Sequence, residues 1–232
     1  MSDAAGMAIA VLGGTGAEGS GLAVRWAHAG HKVILGSRNS DKAQKAAVEL
    51  NAKLGCDRVS GMDNQAAAAS AQVVVLAVPY SAQRSTVEDV RAALTGKILI
   101  DVTVPLVPPR VSRVQLPEGG SAVEAIQKLL GSATRVVSAF QNVSAHYLGE
   151  LDRKIDCDVL VCGDDKDARE VAIQLAADAG LRGVHAGVLA NSAAAEALTS
   201  ALIAINRHYK VPAAGIRITG VFDGTPIVSE NQ

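Results

Sequence analysis

The residues of this chain best suited to chemistry lie in its first third. Gly14-Thr15-Gly16-Ala17-Glu18-Gly19 spells G-x-G-x-x-G. Such a loop, set between an apolar strand and a helix, cradles the pyrophosphate of a dinucleotide. Gly14 permits the tight turn, Gly16 lets the pyrophosphate approach the backbone, and Gly19 lets the helix pack against the strand. The helix start adds unpaired N–H groups and a partial positive charge. The same residues also read as a plain tight turn. Context favours the nucleotide: the apolar run Met7 to Leu12 precedes the loop, and Ala17 to Ala29 follows with Leu22, Ala23, Trp26 and Ala27 on one helical face.

A second constellation is Gly36-Ser37-Arg38 with Lys42. An NAD site usually carries Asp or Glu about 20 residues beyond the glycines, for the ribose 2′-hydroxyl. Here the first acid is Asp41. A hydroxyl and a guanidinium bind a 2′-phosphate that a carboxylate would repel, so NADP is expected over NAD. The alternative for Arg38 and Lys42 is a solvated helix start. Further on, Val78-Pro79-Tyr80 and Asp101 to Pro105 end two more strands, at the edge where this architecture binds ligands. Val78 and Pro79 are expected to wall the nicotinamide. Asp101 reads as a loop cap before a catalytic group. No Lys or His stands at these strand ends, although a dehydrogenase of alcohols or imines needs a positioned acid or base. A partner with its own electron chemistry needs none, because hydride transfer between two heteroaromatic rings requires juxtaposition and a dry cleft.

The elements that must position these residues follow from periodicity. Strands are expected at Lys32 to Leu35, Gln72 to Val78, Lys97 to Val102, Arg135 to Ala139, Val159 to Cys162 and Arg182 to His185. Helices are expected at Ser40 to Leu54, Ala66 to Ala71, Ser81 to Leu94, Asp165 to Ala179 (with Asp164 as its cap) and Ser192 to Tyr209. Ser121-Ala122-Val123-Glu124 is a capping box after the Pro/Gly-rich loop Pro105 to Gly120. Continuously apolar strands alternating with helices imply an α/β, Rossmann-type doubly wound parallel sheet. A small C-terminal helical or mixed domain should complete it. The expected division is 1–140 for the nucleotide and 141–232 for the rest.

Composition narrows the function. With 49% hydrophobic and 19% charged residues the chain is not disordered. A net charge of −1 without basic runs, and 3% aromatics, argue against nucleic acid. No run reaches the roughly 18 apolar residues that span a bilayer, and Met1 to Gly6 carries no leader pattern. Cys56, Cys157 and Cys162 have no C-x-x-C spacing, so a zinc site or disulfide framework is not expected and a cytoplasmic setting is. They read as buried small hydrophobes, with Cys157 and Cys162 on opposite strand faces. The five histidines have no metal-ligand spacing, so no metal is expected; His28 and His31 read as solvated.

The chain resembles the NADPH-dependent coenzyme F420 reductases, also called F420-dependent NADP oxidoreductases. The resemblance rests on Leu12 to Gly16, Gly21-Leu22-Ala23, Gly30-His31 with Val33, Gly36-Ser37-Arg38 with Lys42, Val78-Pro79, Val136 to Ala139, and Asp158 with Val161-Cys162-Gly163-Asp164-Asp165. It implies reversible hydride transfer between C5 of a reduced 8-hydroxy-5-deazaflavin and C4 of NADP+, with no essential acid or base. It also implies that Thr15, Gly16, Ala17 and Glu18 meet the pyrophosphate region, and that Ser37, Arg38 and Lys42 hold the 2′-phosphate with help from Thr15. Val78 and Tyr80 would lie along the nicotinamide, with Ala145 and Ala214 near the paired rings. Gln141 stands where a relative has His, and Tyr80 where it has Trp. Gln141 and Asn142 are candidates for the deazaflavin's pyrimidine edge, or are ordinary loop amides. Arg110, Arg113, Arg207 and Lys210 are candidates for the coenzyme's anionic tail, although each by itself reads first as a solvated surface cation.

The expected partners are therefore two small redox coenzymes, NADP and coenzyme F420, on a homodimer with Leu198, Ala201, Leu202 and Ile205 of the last helix either at the interface or roofing their own cleft. Two other readings stand beside this one. One is an NADPH reductase of a small imine, ketone or metal complex. The other is a non-catalytic NADP-sensing module. The tail Gly220 to Gln232 lies beyond the resemblance.

Overall fold

The computed structural model describes residues 6–221. Residues 1–5 at the start read above for a leader, and residues 222–232 of the tail, lie outside them. The elements are β1 (Ala8–Leu12), α1 (Ala17–His28), β2 (Lys32–Ser37), α2 (Ser40–Leu54), β3 (Val59–Asp63), α3 (Asn64–Ala69), β4 (Val73–Leu76), α4 (Tyr80–Val90), β5 (Ile98–Asp101), α5 (Ala122–Leu130), β6 (Arg135–Ser138), β7 (Asp158–Gly163), α6 (Lys166–Asp178), β8 (Arg182–His185) and α7 (Ser192–Tyr209). They form one eight-stranded sheet in the order β3-β2-β1-β4-β5-β6-β7-β8.

The central strands are apolar throughout because both their faces are covered. Ile9, Val11, Val73, Val75, Ile98 and Ile100 point to one side, beneath α1, α2 and α6. Ala10, Leu12, Val74, Leu76 and Leu99 point to the other, beneath α3, α4 and α5. β1 lies between β2 and β4. The chain therefore leaves β1 and β4 toward opposite faces, which opens a crevice above their carboxyl ends.

The sheet is parallel except at one joint, where β7 runs antiparallel to β6. A parallel return needs a crossover element. The 139–157 connection has only a 3₁₀ turn, Ala145–Tyr147, and so returns reversed. Two neighbours on α1 fasten it. Arg25 is 6% exposed and donates from Nε to the Leu148 carbonyl (2.8 Å), from Nη1 to Ala179 (2.9 Å) and from Nη2 to Glu150 (2.7 Å). Trp26 donates to the Leu175 carbonyl (2.8 Å) and meets the edge of Phe140 at 5.9 Å. The sheet runs across the boundary expected at residue 140.

Several local expectations are corrected. β3 was not expected. Its sequence, Val-Ser-Gly-Met-Asp, is half polar because it lies at the sheet edge. His31 is buried rather than solvated: Nδ1 accepts the Met7 N–H (3.2 Å), leaving Nε2 to donate to Asp178 (2.9 Å). Asp165, not Asp164, caps α6 by accepting the Ala168 N–H (2.7 Å), while Asp164 accepts from Leu189 (2.9 Å). Cys157 lies just before β7, not within it, although it is buried. Only half of the capping box forms. Ser121 accepts the Glu124 N–H (3.0 Å), but Glu124 pairs with Lys128 (3.2 Å). The carboxylate that meets the α5 N-terminus belongs to Glu196 of α7, which accepts from Ala122 (2.8 Å) and Val123 (3.2 Å).

Arg25→Ala should leave several buried carbonyls without a donor. A loss of about 2–4 kcal/mol is expected in urea unfolding. A loss below about 1 kcal/mol would refute the fastening role.

Candidate active site

The turn after β1 is built from close backbone contact. Gly13 has φ +80°, and a Cβ there would lie 2.3 Å from the Ala77 carbonyl oxygen. The left-handed residue of the turn is Gly13; Gly14, read from the sequence as the glycine that permits the tight turn, has no positive φ. A Cβ on Gly14 would collide with Leu35 Cδ2 (2.9 Å), and one on Gly19 with the Gly13 oxygen (2.7 Å). Gly14 and Gly19 therefore serve packing behind the loop. Gly16 differs: a Cβ there would meet only the Gly13 oxygen, at 3.3 Å. Gly16 is also the N-cap of α1 and offers no side-chain acceptor to the helix N–H groups. They remain available to an anion.

Above the loop lies a trough of two compartments, each about 370 Å³, that share Gly16, Ala77, Val78 and Pro79 as lining. The first is bounded by Thr15, Ser37, Arg38, Lys42 and Asn64. The Ser37 hydroxyl accepts the Asn39 N–H (3.2 Å), and Asn39 accepts that of Lys42 (2.9 Å). This turn sets the bases of Arg38 and Lys42 side by side. Neither forms an ion pair among the described residues. Two unpaired cations, a hydroxyl and free N–H groups suit a phosphate monoester.

The second compartment is bounded by Ala17, Glu18, Tyr80, Thr103, Gln141 and Thr199, with Val102, Val143 and Leu106 as apolar wall. Gln141 is fixed from two sides. Its Nε2 donates to the Asp101 carbonyl (2.7 Å), and its own carbonyl accepts from Thr199 (2.8 Å). Among the described residues its Oε1 is buried without a partner, as is Oδ1 of Asn64 in the first compartment. Buried acceptors left unpaired are costly, so each suits a ligand that brings an N–H or O–H. The residues therefore fit a phosphorylated dinucleotide laid along the trough.

Beneath the second compartment, Asp101 is fully buried and caps its own loop, accepting the Thr103 N–H (2.9 Å) and the Gln83 amide (2.6 Å). This is the capping role, and the hydrogen bonds explain it. Burial nonetheless pushes its carboxyl up to about 6, with Glu196 adding to the rise. Glu18 goes further, to about 8, through loss of solvation first and the charge of Asp101 second. Burial also pushes the Cys162 thiol up to about 11, so it is no thiolate nucleophile.

Asn142, Ala145 and Ala214 are not brought to the trough wall. The Asn142 amide donates to the Asp158 carbonyl (2.6 Å) and spends its capacity on β7. Ala214 is held by its N–H on Asn206 (2.7 Å), next to the segment that Asp158 and Arg182 clamp to β7. Thr199 and Asn64 were missed. Thr199 sits within an apolar helix, where nothing in the spacing marks it, and Asn64 follows the strand that was not recognised.

With this geometry in place, the comparisons are specific. The profile of the family described as NADP oxidoreductase, coenzyme F420-dependent, matches residues 8–105. The F420-dependent NADP reductase of Methanothermobacter thermautotrophicus is 45% identical over 222 residues, covering 93% of this chain and 96% of that protein. The chain belongs to this family. The F420-dependent NADP reductase of Methanocaldococcus jannaschii is 41% identical, covering 93% and 99%. The structure of a candidate F420-dependent NADP-reductase from Arthrobacter sp. FB24 superimposes with a TM-score of 0.76 at 26% identity, covering 92% of this chain and all (100%) of that one. The chain shares with these relatives an oxidoreductase fold over nearly its whole length, a Rossmann-type sheet with a helical C-terminal part.

The two loop glycines should separate in mutation. Gly13→Ala meets both a forbidden φ and the Ala77 oxygen and should cost about 1–3 kcal/mol in a thermal or urea melt. Gly16→Ala should cost less than about 1 kcal/mol yet weaken dinucleotide binding, measured by fluorescence titration. Equal stability of the two variants would overturn the assignment.

Proposed function

We propose that this chain is an oxidoreductase that transfers hydride reversibly between NADP(H) and the deazaflavin coenzyme F420. The balanced reaction is NADPH + F420 + H+ giving NADP+ + F420H2. The observation that carries the reading is the joined pair of compartments, one cationic, the other apolar-walled with an orphaned acceptor. Relatives at 41–45% identity that bear the name F420-dependent NADP reductase support it.

In this reading Arg38 and Lys42, with Ser37 and Thr15, neutralise the 2′-phosphate. The N-terminus of α1, reached through Gly14 to Gly19, holds the pyrophosphate. Val78, Pro79 and Tyr80 wall the nicotinamide. Gln141 offers its free oxygen to a ring N–H; Asn142, Ala145 and Ala214, which do not line the trough, are proposed near the second ring through the resemblance alone. The two coenzymes supply the electrons, and the protein aligns them and excludes water. No side chain forms or breaks a bond to carbon. The division into 1–140 and 141–232 is proposed as functional: the first part grips the nucleotide, and the second brings Val143 and Thr199 to the other ring. The exposed cations Arg110, Arg113, Arg207 and Lys210 are proposed for the anionic tail; Arg207 donates to Ser112 (2.9 Å), which brings the end of α7 to the 105–120 loop.

A homodimer is proposed through the free face of α7, where Ile205 and Tyr209 are 40% and 68% exposed. Light scattering should read twice 23.7 kDa, and a monomer at micromolar concentration would refute it. A cytoplasmic setting is proposed from three free cysteines. No described helix is long and apolar enough to cross a membrane.

Two measurements test the reaction. NADPH and oxidised coenzyme F420 mixed with the protein should bleach the deazaflavin's visible absorbance; its persistence, with NADPH shown to bind, would defeat the proposal. Arg38→Ala should raise KM for NADPH roughly 10- to 100-fold, the loss of a charge-assisted fork. KM for NADH should barely move, and equal effects on both would remove the 2′-phosphate assignment.

A further inference from the structure

Helix α7 departs from the usual surface helix in what it buries. Such a helix ordinarily turns an apolar stripe inward and a polar one to water. The inward side of α7 carries Ser192, Glu196 and Ser200, all buried, and half-buried Thr199, beside Ala195 and Leu202. Its exposed side carries Ala201, Ala204 and Ile205. Apolar contact is non-directional, whereas hydrogen bonds demand a distance and an angle. The inward polar groups therefore set where α7 lies.

Glu196 makes the most of these bonds. Its Oε1 accepts from the Ser121 hydroxyl (2.6 Å) and the Val123 N–H (3.2 Å), and its Oε2 from the Ala122 N–H (2.8 Å). These donors open α5, where the backbone N–H groups have no partner within the helix and favour an anion. Three residues further along the same face, Thr199 donates from Oγ1 to the Gln141 carbonyl (2.8 Å).

Together the contacts close a circuit around Gln141. Its Nε2 donates to the Asp101 carbonyl (2.7 Å), and the Asp101 carboxyl accepts from Gln83 Nε2 (2.6 Å). The same nitrogen of Gln83 donates to the Ala122 carbonyl (3.4 Å), and the Ala122 N–H goes to Glu196. The turn of α7 from Glu196 to Thr199 then returns to the main chain of Gln141. Phe140, just before it, has φ +73°, a left-handed conformation that a bulky residue holds only where its surroundings enforce it. Glu196 itself lines neither compartment, and no member of the circuit lines the first one.

We propose that Glu196 is a positioning residue for the second coenzyme. By holding α7 on the N-terminus of α5 it sets Thr199, and through Thr199 it sets the face that Gln141 presents to the second compartment. The proposal rests on the F420 reading above and names what aligns that coenzyme's ring.

The experiment is steady-state kinetics of the full-length protein with NADPH and oxidised coenzyme F420, with NADPH affinity read separately by fluorescence titration. The variants are Glu196→Gln, which replaces one acceptor oxygen by a donor, Thr199→Val, which keeps the shape and removes the hydroxyl, and the two combined. Each single variant should raise KM for coenzyme F420 roughly 3- to 10-fold, as one lost hydrogen bond would, while Kd for NADPH stays within about twofold. The combined variant should be no worse than the worse single one, because both break the same circuit. Thr199→Ser should restore the KM. If Glu196→Gln does not fold, Glu196→Asp, which keeps the charge and shortens the reach, should give the same signature. KM effects that multiply in the combined variant, NADPH affinity that falls in parallel, or a KM that stays at the wild-type value would each overturn the proposal. Wild type that binds NADPH yet leaves coenzyme F420 unreduced would instead defeat the F420 reading, and this inference with it.

Discussion

The site depends on how closely two turns approach each other. Gly13 packs against the Ala77 carbonyl, so the loop after β1 and the loop after β4 touch at the point where the strand order reverses. Nothing larger than hydrogen fits at Gly13. This contact puts the unpaired N–H groups of α1 directly below Val78 and Pro79, and it is why the two compartments share those residues. The apolar strands, the clamped 139–157 loop and the helices on either face act to hold that contact in place.

Charge is divided along the trough. One end carries two cations that form no ion pair among the described residues; the other carries the Glu18 carboxyl, with buried Asp101 beneath it. The first end suits a dianionic phosphate. Beneath the second end burial raises the Asp101 carboxyl, and exclusion of water by a bound ring would strengthen any hydrogen bond made there. A flat redox ring placed at that end meets apolar walls and one fixed amide, not a general acid aimed at its carbon.

The nucleotide half was legible in the sequence because backbone geometry dictates it. Glycine spacing after an apolar run, and Ser37-Arg38 in place of an acid, are local signals, and α2 and α7 appear with the expected ends. What lay hidden was set by distant partners. His31 looked like a turn residue, and only folding brings Asp178 to it. Edge strand β3 carries no alternation to detect, so Asn64 was lost with it. Glu196 reads as one acid in a helix, yet it caps another helix far off in sequence. Glu18 was expected only as a pyrophosphate contact, and the neighbouring Asp101 gives it a different character. Asn142, read from the sequence either as a ligand contact or as an ordinary loop amide, spends its amide on β7.

The two borders of the sheet bear on how copies of this chain can meet. β3 has five residues and β8 has four, and both are half-exposed and interrupted by glycine. Short, polar borders make poor templates for another strand. Growth of the sheet into fibres by backbone pairing is thereby discouraged at both ends.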